Sequence, residues 1–459
     1  MNTPVFINAI YDAGGRAYEV GGSIRDWLLG LRHKDSDLLV TGIAIDKLTR
    51  LLKKFGEVYT VGKSFGVIKF HPSSDPEVCL DIALPRKEVS TGAGHRDFQV
   101  DFDPNLSVEV DLSRRDFTVN AMAMELGTER LIDPFQGKTD LANKLLRMVS
   151  LKAFEEDPLR ILRGIQFAAR FQLTIEPATL DAMKEASGLI ATISAERIGE
   201  ELKKLLSAER PSVGFILMRD IGVLKPLFPE LAENVGVEQG NKFHKDDVFM
   251  HTMRVLDASR KDEAIPNAGD LELMLAALFH DIGKARTKGF DKEKNRMTFY
   301  NHQLLSKRMA KKRMSALKIT TLGVNPDAVA DLVEHHMFQA KSHFSDRSIR
   351  RFISKVGPEL ILKLVDLRLA DNRGGKYPEG IKGVLRLRKK IADELEKKTP
   401  FNVRDLGVGG ADIIALGIPE GPEIGRILKE LVEVVLDDPE KNTKEALLEI
   451  VKEKLEEKK

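Results

Sequence analysis

The stretch VGGSIRDWLLGLRHKDSDLLV, residues 20–40, places a glycine turn next to a pair of carboxylates. The apolar run that ends at Val20 predicts a strand, and Gly22 lies in a turn that leads into a helix carrying Arg25. A second strand starts with Asp35 and Asp37. Residues two apart in a strand point to the same side of a sheet. The sequence therefore predicts that these two carboxylates project together.

This combination suits a nucleoside triphosphate that binds together with magnesium. Carboxylate oxygens are the hard ligands that the metal prefers. Glycines let phosphate approach the backbone N–H groups, and the dipole of the following helix favours an anion. The arginine adds a fork of donors. Each element alone is more often a simple turn or a solvated strand end, so the prediction depends on their combination.

The composition limits the possible classes of protein. The 459 residues are enough for about three domains. Charged residues make up 31% but nearly cancel, for a net charge of +2, which argues against a wholly basic nucleic-acid wrapper and still allows basic patches. The single cysteine, Cys79, excludes an internal disulfide and fits a reducing compartment. With no signal pattern and no membrane-length apolar run, we expect a soluble cytoplasmic protein without a membrane partner.

Two further segments carry polar candidates for the same site. Asp81 lies in the apolar run VCLDIALPRKE, where it could complete the metal site, accept the proton of an attacking hydroxyl, or only hydrogen-bond a loop. Arg115 and Asn120 lie in DLSRRDFTVNAMAM, where helical spacing brings them toward one face. An ordinary cationic helix start has the same pattern. Residues 90–103 lack periodicity and predict a loop between these segments.

Residues 154–171 read FEEDPLRILRGIQFAARF. Pro158 fits the first turn of a helix, and Asp157, Arg160 and Arg163 then lie along one face. Cytosine and adenine each present an amino donor beside a ring-nitrogen acceptor, which an aspartate and an arginine can match. Guanine and uracil would leave both protein groups unpaired, at about 1–3 kcal/mol each. One Asp/Arg pair could therefore accept CTP and ATP and refuse GTP and UTP. From spacing alone, simple i,i+3 ion pairs explain the same charges.

The motifs GGSIRDWLLG, KDSDLLV, RRDFTVNA and ED-x-x-R together resemble the class II tRNA nucleotidyltransferase (CCA-adding enzyme) and bacterial poly(A) polymerase family. One departure is Gln166, where the resemblance leads us to expect an arginine. The catalytic candidates are Asp35 and Asp37, as Mg²⁺ ligands, and Asp81, whose role stays open. The nucleotide-binding residues that the resemblance implies are Gly22, Arg25, Arg115, Asn120, Glu156, Asp157, Arg160 and Arg163.

Histidine and aspartate clusters in the second half of the chain resemble the HD phosphohydrolase pattern. Imidazole and carboxylate ligands suit Mn²⁺, Ni²⁺, Fe²⁺ or another divalent metal. The pattern is also compatible with a degenerate, structural domain, and His302 is followed by Gln303 where an acid would favour two metals. The implied ligands of the first metal are His251, His280, Asp281 and Asp371. The implied ligands of a second metal are His302 and His336.

The resemblance implies an α+β fold. A polymerase-β-like nucleotidyltransferase head, with a mixed β-sheet and helices, precedes an all-helical neck, body, HD domain and tail. We expect the catalytic domain at residues 1–148, the neck and body with the base-recognition helix at 149–232, the HD domain at 242–375 and a tRNA-binding tail at 376–459.

The expected function is template-independent addition of CCA to the 3′ end of tRNA, from CTP and ATP, by two-metal nucleotidyl transfer. The HD domain adds a possible 2′,3′-cyclic phosphodiesterase or phosphatase activity. An A-adding enzyme and a poly(A) polymerase share the same motifs and stay open. An HD phosphohydrolase with an inert RNA-binding nucleotidyltransferase module is the alternative from another class. No DNA partner is expected, and the sequence does not decide the oligomeric state.

Overall fold

A computed structural model describes residues 4–31, 37–60, 67–90, 98–240, 247–293, 295–339, 344–375, 380–397 and 399–456. The chain divides into two compact units. The first comprises Met1–Ala208 and Val213–Leu227, and the second comprises Glu209–Ser212 and Phe228–Lys459. The four-part domain division expected from the sequence stays a prediction. Within the described residues, no helix is both long and apolar enough to cross a membrane.

A mixed seven-stranded sheet forms the first unit, in the order β3-β4-β5-β2-β1-β8-β9. Strands β2 and β5 are parallel neighbours, and the other pairs in this sheet are antiparallel. The strands of the chain are β1 (Arg16–Val20), β2 (Asp37–Thr41), β3 (Gly56–Thr60), β4 (Val67–Pro72), β5 (Leu80–Ala83), β6 (Arg86–Ser90), β7 (Phe98–Phe102), β8 (Ala123–Glu125), β9 (Arg130–Ile132), β10 (Leu145–Leu146), β11 (Thr174–Ile175), β12 (Gly289–Asp291) and β13 (Arg296–Thr298).

Helices cover much of the remaining chain. Up to residue 227 they are α1 (Val5–Asp12), α2 (Gly22–Leu28), α3 (Ile45–Leu52), α4 (Val108–Ser113), α5 (Gly137–Ala142), α6 (Ala153–Glu156), α7 (Leu159–Phe171), α8 (Pro177–Glu185), α9 (Ala195–Leu206), α10 (Ser212–Asp220) and α11 (Leu224–Leu227). Beyond it they are α12 (Pro229–Ala232), α13 (Val248–Arg260), α14 (Leu271–Phe279), α15 (Lys284–Thr287), α16 (His302–Ala316), α17 (Pro326–His335), α18 (Asp346–Val356), α19 (Ile361–Gly374), α20 (Lys382–Glu396), α21 (Gly410–Ile414), α22 (Pro422–Asp437) and α23 (Lys444–Glu456). Short 3-10 turns add Thr118–Asn120, Ala186–Thr192, Ile319–Leu322, Val403–Asp405 and Pro439–Lys441.

The sheet buries a core on each face. Alternate residues of β2 point to opposite sides, so Leu38 and Val40 pack with α1 and α3, whereas Leu39 packs with Tyr18 and α4. Asp37 shares the face of Leu39 by the same alternation. The carboxylate at the start of β2 therefore projects on the α4 side of the sheet.

The second unit is mostly helical and supports the predicted fold class. Its departure from an all-helical arrangement is the β12–β13 hairpin, in which Phe290 pairs with Met297. A separate apolar cluster, centred on residues such as Ile413, Leu431 and Leu447, holds α21, α22 and α23 together. The expected α+β fold, with a mixed-sheet head followed by helices, is confirmed.

Candidate active sites

The glycine turn between β1 and α2 packs against the guanidinium of Arg115. Gly21 has φ +81°, and a Cβ built there would lie 2.3 Å from an η nitrogen of Arg115. Glycine thus provides both the backbone conformation and the space for the guanidinium. The Nε of Arg115 is buried and has no hydrogen-bond partner among the described residues. Burial lowers the pKa of Arg115, and Asp111 opposes that shift. A cation with an unsatisfied donor beside a glycine turn can receive a phosphate oxygen.

The carboxylates of the predicted metal site lie on neighbouring strands. Asp37 and Asp81 are direct partners in the parallel register of β2 and β5, so their side chains share one face. Lys69, opposite Asp81 on β4, places its Nζ 3.0 Å from Asp81 Oδ1. Asp35 lies outside the described residues. Two carboxylates on one face supply hard oxygen donors, which fit a divalent ion such as Mg²⁺.

A chain of buried hydrogen bonds connects four polar residues behind this turn. An η nitrogen of Arg25 donates to Asn120 Oδ1 at 2.6 Å, and Asn120 Nδ2 donates to Asp116 Oδ1 at 3.0 Å. The Nε of Arg163 donates to Asp116 Oδ2 at 2.7 Å. Burial alone would raise the pKa of Asp116, but Arg163 and these hydrogen bonds hold it below its ordinary value. Asp116 therefore acts as the ionised centre that orients Asn120 and Arg163.

Arg25 occupies a more enclosed position than the sequence indicated. Its guanidinium carbon lies 4.4 Å from the ring centroid of Phe171 and 5.2 Å from that of Phe167. It also donates to Asp26 at 2.7 Å, and the residue is 6% exposed. These contacts hold Arg25 against α7. Its predicted role as a triphosphate ligand stays a prediction, as does that of Gly22, the first residue of α2.

Two local structure predictions in this region were wrong. Residues 90–103 were predicted to be a loop, but their described part includes the strand β7 (Phe98–Phe102). Arg115 and Asn120 do not share a helix, because α4 ends at Ser113 and Asn120 belongs to a 3-10 turn. The Asp116 side chain accepts the backbone N–H of Phe117 at 2.8 Å, which competes with helical hydrogen bonding. The two residues nevertheless meet, since an η nitrogen of Arg115 lies 3.4 Å from the Asn120 carbonyl oxygen.

The helix predicted to have Pro158 in its first turn is present as α7, but Asp157 lies outside it. Asp157 is extended, with φ −140° and ψ 98°, between α6 and α7. Its neighbour Pro158 disfavours the helical conformation of the preceding residue. Asp157 instead accepts the Leu159 N–H at 3.1 Å through Oδ1 and a hydrogen bond from Arg197 at 2.8 Å through Oδ2. The sequence analysis did not assign Arg197.

The remaining base-reading candidates lie next to the break between α6 and α7. Arg160 donates to Glu156 Oε2 at 3.2 Å and to the Arg114 carbonyl oxygen at 2.6 Å. Asp157 and Arg160 are therefore oriented by different partners rather than paired with each other. Because Asp157 and Arg160 are held by different partners, both side chains can face the same base. Their role in base recognition stays a prediction.

All six predicted HD residues converge in the second unit. His251 Nε2 lies 3.0 Å from Asp371 Oδ1 and 3.8 Å from Asp281 Oδ2. His280 Nε2 lies 3.1 Å from Asp281 Oδ2 without hydrogen-bond alignment. On the other side of Asp281, Oδ1 lies 3.2 Å from His302 Nε2 and 3.7 Å from His336 Nε2. Asp281 thus belongs to both ligand groups that could hold a metal.

The histidine rings are oriented by backbone carbonyl oxygens. The Nδ1 atoms of His280, His302 and His336 lie 2.7–2.8 Å from the carbonyl oxygens three residues earlier. His251 Nδ1 lies 3.3 Å from the Gly374 carbonyl oxygen. A proton on Nδ1 leaves the Nε2 lone pair of each ring facing the cluster, which is the arrangement of metal-binding histidines. The donor set, with the unbonded Nε2 of His280, fits a divalent metal.

The charges of the cluster favour ionised carboxylates. Burial alone would raise the pKa of Asp281, but His280 and Lys284 hold it well below its ordinary range. Burial opposes protonation of His280, yet Asp281 and Asp371 raise its pKa above the ordinary value. Burial, together with His280, lowers the pKa of His336 to about 3. His336 is therefore neutral at pH 7, as a metal-binding imidazole must be.

Lys284 is a site residue that the sequence analysis did not assign. Its Nζ lies 2.6 Å from Asp281 Oδ2 and donates to Gln239 Oε1 at 2.8 Å. It lines a cavity of about 610 Å³ that opens onto the metal-ligand cluster. The motif HDIGK contains this lysine, so its spacing from Asp281 was a usable signal. A buried cation at a metal cluster can neutralise part of a phosphate charge.

Comparison with known sequences gives three consecutive matches. Residues 17–147 match the poly(A) polymerase head domain, and residues 172–234 match the probable RNA and SrmB-binding site of polymerase A. Residues 248–373 match the HD domain. A multifunctional CCA protein of Actinobacillus pleuropneumoniae serotype 5b is 38% identical over 314 residues, 66% of this chain and 71% of the relative. The chain belongs to the tRNA nucleotidyltransferase and poly(A) polymerase family. Divalent metals serve both the nucleotidyltransferase and the HD families.

Other members of the family are similar along most of their length. The A-adding tRNA nucleotidyltransferase of Deinococcus radiodurans is 32% identical over 425 residues, 90% of each chain. The Bacillus stearothermophilus CCA-adding enzyme in complex with CTP has a TM-score of 0.72 at 23% identity, covering 99% of this chain and 97% of the other. The Thermotoga maritima CCA-adding enzyme complexed with tRNA has a TM-score of 0.57 at 22% identity, with 98% and 94% covered. These two structures establish a shared fold.

Proposed function

We propose that the chain is a template-independent tRNA nucleotidyltransferase that adds CCA to the 3′ end of tRNA from CTP and ATP. The observation that carries the proposal is the group formed by the glycine turn, Arg115 and the Asp37–Asp81 pair. Relatives named multifunctional CCA proteins are 35–38% identical over 66–78% of this chain and support this reaction. A tRNA substrate and a single cysteine also support a cytoplasmic location.

The reaction is the attack of the tRNA 3′-hydroxyl on the α-phosphate. A new phosphodiester bond forms, the bond to the β-phosphate oxygen breaks, and pyrophosphate leaves. Asp35 and Asp37 would hold Mg²⁺, which when bound supplies positive charge against the developing negative charge. Asp81 accepts the hydroxyl proton or completes the metal site, a role that its pairing with Asp37 supports. Gly22, Arg25 and Arg115 hold the triphosphate, so positioning and electrostatics account for the rate.

Base selection is proposed for the break between α6 and α7. Asp157 accepts the amino group of cytosine or adenine, while Arg160 donates to the ring nitrogen. Arg197 and the Leu159 N–H fix the two Asp157 oxygens in orientation. Glu156 restrains Arg160, Asn120 contacts the sugar, and the tail carries the distal part of tRNA. Guanine and uracil would leave the fixed groups unpaired.

An A-adding enzyme is the second candidate. The Deinococcus radiodurans relative of that name aligns along 90% of both chains, a larger share than the multifunctional CCA proteins reach. Both activities use the same carboxylates and phosphate contacts, so the number and identity of the added nucleotides must separate them.

The HD cluster is proposed to be a phosphohydrolase site for 2′,3′-cyclic phosphates or phosphomonoesters. Its ligands suit Mn²⁺, Ni²⁺ or Fe²⁺, held by His251, His280, Asp281 and Asp371, with a second ion at Asp281, His302 and His336. A divalent metal held there would supply a water molecule of lowered pKa. The water oxygen bonds to phosphorus, one P–O ester bond breaks, and the proton that the water loses goes to the leaving oxygen. Lys284 offsets charge on the phosphate.

The test uses purified protein with magnesium and a tRNA transcript that lacks its last three nucleotides. CTP alone, ATP alone and both together are supplied, and added residues are counted on a sequencing gel. We expect two additions with CTP and a third when ATP is also present. One addition only to tRNA that already ends in CC would establish an A-adding enzyme instead. Long ladders with ATP on any RNA would establish a poly(A) polymerase.

A further inference from the structure

We infer that the HD cavity binds the base of a nucleotide against the ring of Tyr300, while the phosphate lies at the metal ligands. This inference rests on the proposed phosphohydrolase function and assigns Tyr300 as a residue that sets its preference among phosphate esters. Tyr300 lines the same cavity as His302 and His336. It stands two residues before His302, at the end of the β12–β13 hairpin.

Tyr300 has an exposed ring at the rim of a charged cavity. The residue is 66% exposed, although tyrosine rings usually bury most of their area. The cavity measures about 610 Å³, a size that accommodates a small organic ligand. Aromatic faces bind nucleotide bases by stacking, and this contact tolerates any base. An exposed tyrosine ring at this position therefore provides a stacking surface.

The backbone on either side of Tyr300 is fixed to the metal cluster. The Phe299 carbonyl oxygen lies 2.8 Å from Nδ1 of His302, and Lys284 Nζ lies 5.6 Å from the Phe299 ring centroid. On the other side, Asn301 takes the left-handed conformation with φ +58° and starts α16. The Tyr300 backbone is thus held at a set distance from a metal ligand, which reduces the ordering needed on binding.

The cationic side chains that line the cavity favour binding of an anion near the metal ligands. Lys284, Arg296 and Arg368 line it together with the metal ligands. Arg368 also donates to Asp371 Oδ2 at 2.9 Å, so its charge lies beside the cluster. Lys284 and Arg368 contact the metal-ligand carboxylates, and an exposed aromatic ring belongs to the same cavity lining. This combination fits a phosphate joined to a flat base. Inorganic phosphate or a glycerol ester would leave the ring without a contact.

The test compares two phosphate esters with the full-length, metal-loaded protein. In Tyr300→Ala we expect the KM for adenosine 3′-monophosphate to rise about tenfold, as for the loss of one stacked base, with kcat retained. The KM for glycerol 2-phosphate should stay unchanged, because that ester has no base. Tyr300→Phe keeps the ring and should retain both values. Addition of nucleotides to tRNA checks folding.

Phe290→Ala is the matched control, since Phe290 is a 55% exposed aromatic residue of the same hairpin outside the cavity lining. Equal effects of Tyr300→Ala on both esters, or equal effects of the two alanine variants, would overturn the inference. If the wild type hydrolyses neither ester, the proposed phosphohydrolase function fails by itself. In that case calorimetric titration of the protein with adenosine 3′-monophosphate in the presence of Mn²⁺ tests the inference. The binding that is lost in Asp281→Asn is counted as binding in the HD cavity. About tenfold weaker binding to Tyr300→Ala sustains the inference, and equal or absent cavity binding overturns it.

Discussion

Asp116 shows how one buried carboxylate can organise several functional side chains. It is 6% exposed and accepts hydrogen bonds from Arg163, Asn120 and the Phe117 N–H. Asp116→Asn removes the charge that Arg163 faces, so we expect the free energy of unfolding at pH 7 to fall by about 2 kcal/mol. We also expect slower nucleotide addition, because Asn120 and Arg163 lose their common anchor. Urea denaturation and primer-extension rates measure the two effects.

The difference in the free energy of unfolding between the wild type and Asp116→Asn should depend on pH in one direction. The pKa of Asp116 in the folded protein is below its ordinary value of 3.8, because Arg163 and the hydrogen bonds outweigh burial. Its stabilisation is therefore present above pH 3.8 and is lost as the pH falls through the lower folded pKa. The gap between wild type and variant should shrink toward acid pH. The control Asp181→Asn, on an exposed aspartate 3.4 Å from Lys184, should leave stability unchanged. A gap that widens on acidification would contradict this role.

Sequence reasoning missed two residues for different reasons. Lys284 contacts Asp281 three residues away, a spacing that the sequence offered. Asp116 lies inside a recognised motif, but its ion-pair partner Arg163 lies 47 residues away. Spacing along the chain identifies neighbours on one strand or helix, and it carries no information about such distant contacts. The six HD residues were predicted from the resemblance to the HD phosphohydrolase pattern, and they converge as that resemblance implies. Their role as metal ligands stays a prediction.

At the scale of the element, the junction of α6 and α7 decides where the base-reading groups point. Pro158 keeps Asp157 extended, and Asp157 then caps the first turn of α7. In Pro158→Ala the two helices can join and rotate Asp157 away. We expect the KM for CTP and ATP to rise about tenfold, the cost of one misplaced hydrogen bond. Incorporation of GTP and UTP should increase relative to CTP and ATP.

Pro177→Ala supplies the control for this element. Pro177 is likewise a first-turn proline, at the start of α8, where the Glu176 side chain caps the helix. It should leave nucleotide selection unchanged. If Pro158→Ala and Pro177→Ala have the same kinetics, the break between α6 and α7 does not contribute to base recognition.

The same junction shows the limit of prediction from periodicity. Apolar residues from Leu159 onward have helical spacing, and the predicted helix over that part is correct. Pro158 correctly indicated the start of this helix, but the placement of Asp157 on the helix face was wrong, because the residue before the proline is extended. The rule that a residue before proline avoids the helical conformation was available in the sequence. In contrast, no local rule predicts the Asp157–Arg197 contact across 40 residues.

At the scale of the whole molecule, two carboxylate-based sites lie in separate compact units. Asp37→Ala removes one predicted metal ligand from the first unit. We expect nucleotide addition to fall at least about a thousandfold, as for loss of a main source of transition-state charge stabilisation. Hydrolysis of phosphate esters should persist, because none of its ligands changes. Both activities are measured on the same preparation.

Asp281→Asn provides the reciprocal test, since Asp281 belongs to both ligand groups of the HD cluster. It should abolish ester hydrolysis and retain nucleotide addition, whereas a chelator should stop both. Loss of both activities in either variant, with an unchanged melting temperature, would mean that the two sites do not work independently.

The parallel pairing of Asp37 with Asp81 makes this part of the protein sensitive to chain length rather than to side-chain identity alone. A single inserted or deleted residue within β2 would turn the carboxylate to the opposite face and bring an apolar side chain into its place. A substitution here can change the site by a small amount, whereas an insertion or deletion moves the carboxylate to the other face of the sheet. In the divergence of such chains, gains and losses of residues should therefore accumulate in the connecting loops and leave the start of β2 at constant length.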